Sequence, residues 1–83
     1  MVHLPSFILA SQVLTDEDKL KLSSVHHIPS DTEVDEIRFL PDIQELLNAF
    51  IGDDSTRFVH LQMKAKEYID SGDFILAWKV LLL

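Results

Sequence analysis

The chain has 83 residues, of which 47% are apolar, two are glycine and three are proline, and this composition favours one all-helical domain, residues 1–83, over disorder or hairpin-rich sheet. Fourteen acidic against seven basic residues give a formal charge of −7, spread over both halves of the chain, so we expect no direct nucleic-acid binding. No cysteine is present, which excludes disulfides, thiol catalysis and cysteine-based zinc sites and is consistent with a cytoplasmic protein.

The first quarter of the chain predicts two short helices. Pro5 suits a first helical turn, and the apolar run after it indicates a short buried helix, with an edge strand over residues 7–11 as the alternative. The run is too short to span a bilayer and lacks the features of a secretion signal, so no membrane segment is expected. Thr15 can cap a second helix, residues 16–25, by accepting a hydrogen bond from the backbone of Asp18.

Pro29 marks the main break in the chain, because proline stops a helix and polar residues able to cap the next helix follow it directly. Beyond the break, apolar residues recur at every third position, at Val34, Ile37 and Leu40, which indicates another short helix. A strand over residues 36–40 is the alternative.

Pro41 is either a kink or the start of the clearest amphipathic helix, residues 42–51. Its apolar positions follow i, i+3, i+4, i+7 and i+8 spacing: Ile43, Leu46, Leu47, Phe50 and Ile51. Gly52 closes this helix, and the polar run 53–56 supplies a turn and an N-cap for a helix that begins near Arg57.

Residues 58–83 predict an antiparallel helical hairpin. Its first helix has a single apolar stripe, made of Phe58, Leu61, Ala65, Tyr68 and Ile69. Gly72 is placed to end that helix in a left-handed conformation, and Asp73 can cap the next one. The second helix is apolar on nearly every side, so it must be buried in the fold or against a partner. The whole chain thus predicts a compact bundle of five or six short helices that ends in this hairpin.

The hairpin has small residues, Ala65 and Ala77, in its two helices and a Gly-Asp-Phe turn between them. Together with the large residues around them, these positions form a pattern: Leu61, Ala65, Tyr68, Gly72, Asp73, Phe74, Ala77 and Leu81. With these residues, the stretch 61–81 resembles a single tetratricopeptide repeat. Lys64 stands where that family usually has leucine, and no second repeat is visible 34 residues earlier. The resemblance implies a helical scaffold that binds another protein.

The residues offer little for catalysis or metal binding. Adjacent His26 and His27 point in different directions, and no motif brings His3 or His60 near them, so we expect surface, cap or packing roles and no metal site. Nucleophile and phosphate-loop motifs are absent, and the paired acids are interpreted as caps and exposed helix faces. We therefore expect neither an enzyme nor a cofactor.

The functional prediction is a small acidic protein-interaction module that acts as an adaptor, regulator or inhibitor. We expect it to bind an identical copy or a different protein through its apolar C-terminal helix. The predicted contact residues are Trp78, Leu81, Leu82 and Leu83, for which burial in the core is the alternative.

A second hypothesis is an acidic mimic of nucleic acid, such as a viral or antitoxin-like protein, that inhibits a DNA- or RNA-binding protein. Its surface would consist of recurring carboxylates: Asp16, Glu17, Asp18, Asp31, Glu33, Asp35, Glu36, Asp53 and Asp54.

Overall fold

The computed structural model describes residues 2–83, and within them it contains six α-helices, one 3-10 helix and no strand. The helices are α1 Ser6–Leu9, α2 Asp16–Ser23, α3 Asp31–Glu36, the 3-10 helix Ile37–Phe39, α4 Pro41–Ala49, α5 Asp54–Asp70 and α6 Phe74–Leu81. The all-helical prediction is confirmed. The alternative strands over residues 7–11 and 36–40 are wrong, because α1 and the 3-10 helix occupy those segments.

Side-chain caps determine where four of the helices begin. Thr15 and Asp18 exchange side-chain-to-backbone hydrogen bonds of 3.1 Å at the start of α2, which is a complete capping box. Ser30 caps α3. Asp53 and Asp73 cap α5 and α6, each accepting from the backbone N–H three residues further on, at 3.1 and 3.2 Å.

Two glycines determine where the turns fall after α4 and α5. Gly52 and Gly72 have φ angles of 84° and 89°, a left-handed conformation that residues with a side chain rarely adopt. The helix α4 ends at Ala49, earlier than the end at Ile51 that the apolar pattern predicts. Ile51 consequently lies off the helix and is 76% exposed, so the predicted five-residue stripe loses its last member.

The core lies between the α5–α6 hairpin and the preceding helices, with Trp78 at 0% exposure as its largest fully buried side chain. Its buried members are Ile8, Leu14, Leu22, Val25, Ile37, Ile43, Leu61, Ala65, Ile69, Ala77, Trp78, Val80 and Leu81. Ala65 and Ala77 are both fully buried, and their small size lets α5 and α6 approach closely. The radius of gyration is 12.0 Å. A compact domain of this length is expected to have about 12 Å.

Polar contacts attach the N-terminal third to α5. Lys66 Nζ lies 2.7 Å from Asp18 Oδ2, which joins the start of α2 to the middle of α5. Ser11 donates a hydrogen bond to Gln62, a buried polar side chain on the same helix. Because both contacts link residues about fifty positions apart, they fix how the first helices lie on the hairpin.

Candidate interaction surfaces

The C-terminal helix, which was predicted to contact a partner, is mostly core. The Trp78 side chain is fully buried, and its Nε1–H donates a hydrogen bond of 2.8 Å to the carbonyl oxygen of Leu22. Leu81 is 3% exposed. The prediction that these two residues contact a partner is therefore corrected, because α2 and α5 already cover the apolar faces of α6. Leu82 and Leu83 are half-buried and pack against the same core.

The nine predicted acidic residues have different roles. Three belong to helix caps: Asp18, Glu33 and Asp53. Three form ion pairs of 2.6–3.4 Å with a base three or four residues further along the chain: Glu17, Asp35 and Asp54. The other three are exposed and have no ion-pair partner within residues 2–83: Asp16, Asp31 and Glu36. The structure thus assigns many of these carboxylates local stabilising roles.

Asp18 differs from the other acids because its side chain is only 4% exposed. Burial raises the pKa of its carboxyl group, but hydrogen bonds from Lys66 and Thr15 lower it by more, so the net pKa lies below the ordinary value. Hydrogen bonds from Thr56 likewise lower the pKa of the exposed cap residue Asp53. Both effects stabilise the charged form of a capping residue, which is a structural role.

The histidines have surface and packing environments. The His60 ring stacks on Phe50 with ring centroids 4.2 Å apart, and its Nδ1 lies 2.9 Å from the carbonyl oxygen of Thr56. His27 Nε2 lies 3.7 Å from a carboxylate oxygen of Glu33. Within residues 2–83, no three histidine or acidic side chains lie close enough together to hold a metal ion.

Exposed apolar side chains indicate a different surface from the predicted one. The large ones are Phe7, Leu9, Leu20, Ile28, Phe39, Leu40, Ile51, Val59 and Met63. Phe39 is the most exposed of them at 79%. Phe39 was not among the predicted contact residues. The sequence nevertheless contains a signal for its exposure, since Phe39 lies outside the apolar spacing of Val34, Ile37 and Leu40.

Phe39 is the last residue of the short 3-10 helix, which the neighbouring structure anchors on both sides. Ile37, two residues earlier, is buried in the core. The backbone N–H of Leu40 donates to the carbonyl oxygen of Ile37 at 3.0 Å, and Pro41 then starts α4 directly. The segment therefore presents the Phe39 ring to solvent from a backbone fixed on both sides.

Carboxylates surround Phe39 in the chain. Residues 35–42 contain three acids, Asp35, Glu36 and Asp42, and one base, Arg38, so their net charge is −3 + 1 = −2. The Asp35 and Asp42 side chains are 67% and 68% exposed. We call Phe39 together with Asp35, Glu36 and Asp42 the Phe39 surface.

No family model, curated protein or solved structure matches the chain. The resemblance of residues 61–81 to a tetratricopeptide repeat stays a prediction, although α5 and α6 do form a hairpin with Gly72 and Asp73 at its turn. Within residues 2–83, none of the helices combines the length and apolar character needed to cross a membrane.

Proposed function

We propose that this protein is a small, acidic, non-catalytic interaction module that binds a basic protein surface through Phe39. The observation that carries the proposal is the 79% exposure of this aromatic side chain on an acidic segment. Exposing a large apolar group to water is unfavourable, and burying it against another protein recovers that free energy. Aromatic residues, phenylalanine among them, are also enriched at protein–protein interfaces relative to the rest of the surface.

The backbone around Phe39 supports a binding role because it is fixed before binding. Ile37 anchors the 3-10 helix in the core, and Pro41 fixes the start of α4. A side chain presented from a rigid segment loses less conformational entropy on binding than one on a mobile loop. This property favours docking into a preformed apolar pocket on the partner.

The charge of the Phe39 surface defines the expected partner. Glu36 has no ion-pair partner within residues 2–83, whereas Asp35 and Asp42 pair with Arg38 and Lys64 at 2.9 and 3.5 Å but stay mostly exposed. These three carboxylates would meet lysine or arginine side chains around the partner's pocket. A second copy of this chain is a poor partner for the same surface, since its own carboxylates would face these three at short range. We therefore propose binding to a different, basic protein.

The nucleic-acid mimic remains an alternative that makes a different prediction. In a mimic, binding energy would come from exposed carboxylates such as Asp31 and Glu36, and the aromatic ring of Phe39 would contribute little. Competition with DNA and steep weakening by salt would then be the main features of binding. Because caps and ion pairs within the chain use Asp18, Asp53, Glu17 and Asp54, we favour the aromatic anchor.

The test is a capture experiment with three forms of the tagged protein: wild type, Phe39→Ser and Ile51→Ser. Ile51 is the matched control, because it is 76% exposed and lies outside the acidic segment. Captured proteins are identified by mass spectrometry after washes at low and high salt, with and without competing DNA.

We expect at least one basic protein to be captured by the wild type and by Ile51→Ser but lost with Phe39→Ser. Equal capture by all three forms would contradict the anchor role of Phe39. If that equal capture were also abolished by DNA and high salt, the nucleic-acid mimic would replace the present proposal.

A further inference from the structure

A cavity of about 320 Å³ opens between the loop after α2 and the turn that joins α5 to α6. Its apolar lining comes from Val25, Phe74 and Ile75. Val25 is buried, whereas Phe74 and Ile75, at the start of α6, are half-buried. Ligand pockets in proteins usually measure roughly 300–1,000 Å³, so this cavity lies at the small end of that range. Its size suits one side chain better than a drug-sized molecule.

The polar residues that line the cavity include one carboxylate, Asp73. Exposed His26, His27 and Asp73 line the cavity, and the lining contains no lysine or arginine among the described residues. Glu33 does not line the cavity, but one of its carboxylate oxygens lies 3.7 Å from Nε2 of the lining residue His27, so α3 places a second acid next to a cavity residue. The Asp73 carboxylate uses one oxygen, Oδ1, to accept from the Leu76 N–H. This arrangement favours a cationic segment around an apolar side chain.

Along the chain, α3 separates the cavity residue His27 from Phe39. His27 precedes this helix and Phe39 follows it. Exposed Asp31 and Glu36 lie on the helix between them. The acids on α3 are therefore negative, like Asp73 at the cavity and the acids of the Phe39 surface.

We infer that the cavity binds one large aliphatic side chain, of the size of leucine, from a basic segment of the partner protein. The apolar lining holds the side chain, and Asp73 and Glu33 attract arginine or lysine residues on either side of it. This inference rests on the proposed function, because it specifies the partner's recognition element. A second copy of this chain is a poor occupant, since it would bring its own acidic α3 against this one.

The test is an NMR titration of the ¹⁵N-labelled full chain with the capped peptide Arg-Leu-Arg. We expect saturable amide shifts at Gly72, Phe74 and Ile75, the backbone positions at the cavity. The matched peptides Arg-Ala-Arg and Glu-Leu-Glu should bind at least about tenfold more weakly, because one lacks the apolar group and the other has the wrong charge. Equal shifts with Arg-Ala-Arg, or no shifts at the cavity, would overturn the inference.

A pair of variants locates the binding. Ile75→Arg places a positive charge, the same sign as that of the peptide, in the cavity lining and should abolish the Arg-Leu-Arg shifts. Leu20→Arg is the control: Leu20 is 62% exposed and outside the cavity lining, so this variant should leave the shifts unchanged. Arg-Leu-Arg binding that survives Ile75→Arg in a folded protein would also overturn the inference. If Ile75→Arg does not fold, the wild-type titration decides.

The peptide result is independent of the Phe39 capture experiment. Phe39-dependent capture without peptide binding would refute only the cavity inference. Peptide binding without Phe39-dependent capture would refute only the anchor role of Phe39.

Discussion

The indole N–H of Trp78 donates a hydrogen bond of 2.8 Å to the carbonyl oxygen of Leu22, 56 residues earlier in the chain. Leu22 lies in the last turn of α2, where carbonyl groups have no partner within their own helix. The contact therefore satisfies a buried donor and a helix-end acceptor at once. It also explains why the largest apolar side chain of α6 faces inward, since the polar atom of the indole finds a partner in the core.

Trp78→Phe tests this hydrogen bond. The change keeps an aromatic ring but leaves the Leu22 carbonyl oxygen without its donor, so we expect the free energy of unfolding to fall by about 1–3 kcal/mol. Trp78→Ala should cost about 3–5 kcal/mol, a large part of the total stability of a domain of this size. Urea unfolding followed by circular dichroism measures both changes. A Trp78→Ala protein of nearly wild-type stability that had lost only its ability to associate would contradict the core assignment.

The ion pair between Asp18 and Lys66 should make stability depend on pH. The folded-state pKa of Asp18 lies below its ordinary value, so its contribution is fully present above the unfolded-state pKa of about 3.9. The contribution is lost as the pH falls through the folded-state pKa. At pH 7, Asp18→Asn should lower the free energy of unfolding by about 1–2 kcal/mol, a modest figure because Lys66 is 38% exposed.

Urea unfolding of wild type and Asp18→Asn between pH 7 and pH 2 measures this dependence. The difference between the two proteins should shrink below about pH 4, because the wild-type carboxyl group becomes protonated there. Asp31→Asn is the matched control, since Asp31 is exposed and has no ion-pair partner within residues 2–83. A difference of constant size across the whole pH range would contradict the charged role of Asp18.

Gly72→Ala tests the turn between α5 and α6. A Cβ atom at this position would meet nothing within 4 Å, so the cost should come only from the φ angle of 89°. We expect a loss of about 1–2 kcal/mol of unfolding free energy, and a smaller loss for Gly72→Asn, because asparagine tolerates the left-handed conformation better. Gly52→Ala, with a φ angle of 84° and equally open space, should cost a similar amount. Thermal or urea unfolding gives the comparison, and a cost of zero at both glycines would argue against these turns.

The C-terminal leucines should differ in their contribution to stability. Leu81→Ala removes a buried side chain and should cost about 2–5 kcal/mol, whereas Leu83→Ser changes a half-buried terminal residue and should cost about 1 kcal/mol or less. Urea unfolding separates the two cases. Light scattering of the same samples tests self-association: a mass that falls to that of the monomer only in Leu83→Ser would restore the predicted C-terminal interface.

Much of the local structure could be predicted because the signals act over three or four residues. Thr15 and Asp18, and the Asp73 cap after Gly72, form contacts within a single turn, so the sequence already contains both partners. Proline and glycine act equally locally, and for this reason the start of α4 and the end of α5 lie close to their predicted positions. The all-helical class follows from the sum of such signals.

The candidate surface could not be predicted in the same way. The sequence showed that α6 is apolar on nearly every side, but it left open whether a partner or the fold covers it. Contacts with residues far away in the chain decided the question, as the hydrogen bond from Trp78 to Leu22 illustrates. Phe39 is the reverse case, because no distant segment within residues 2–83 covers it and its side chain stays exposed to water.

By itself, the sequence of this protein determined its helical class, its helix caps and turns, and its acidic charge, because each depends on composition or on neighbouring residues. Only the tertiary structure decided that Trp78 and Leu81 are core, that Asp18 pairs with Lys66, and that Phe39 faces solvent. The physical reason is that burial depends on which distant segments of the chain pack together, and the local sequence patterns do not specify which segments those are.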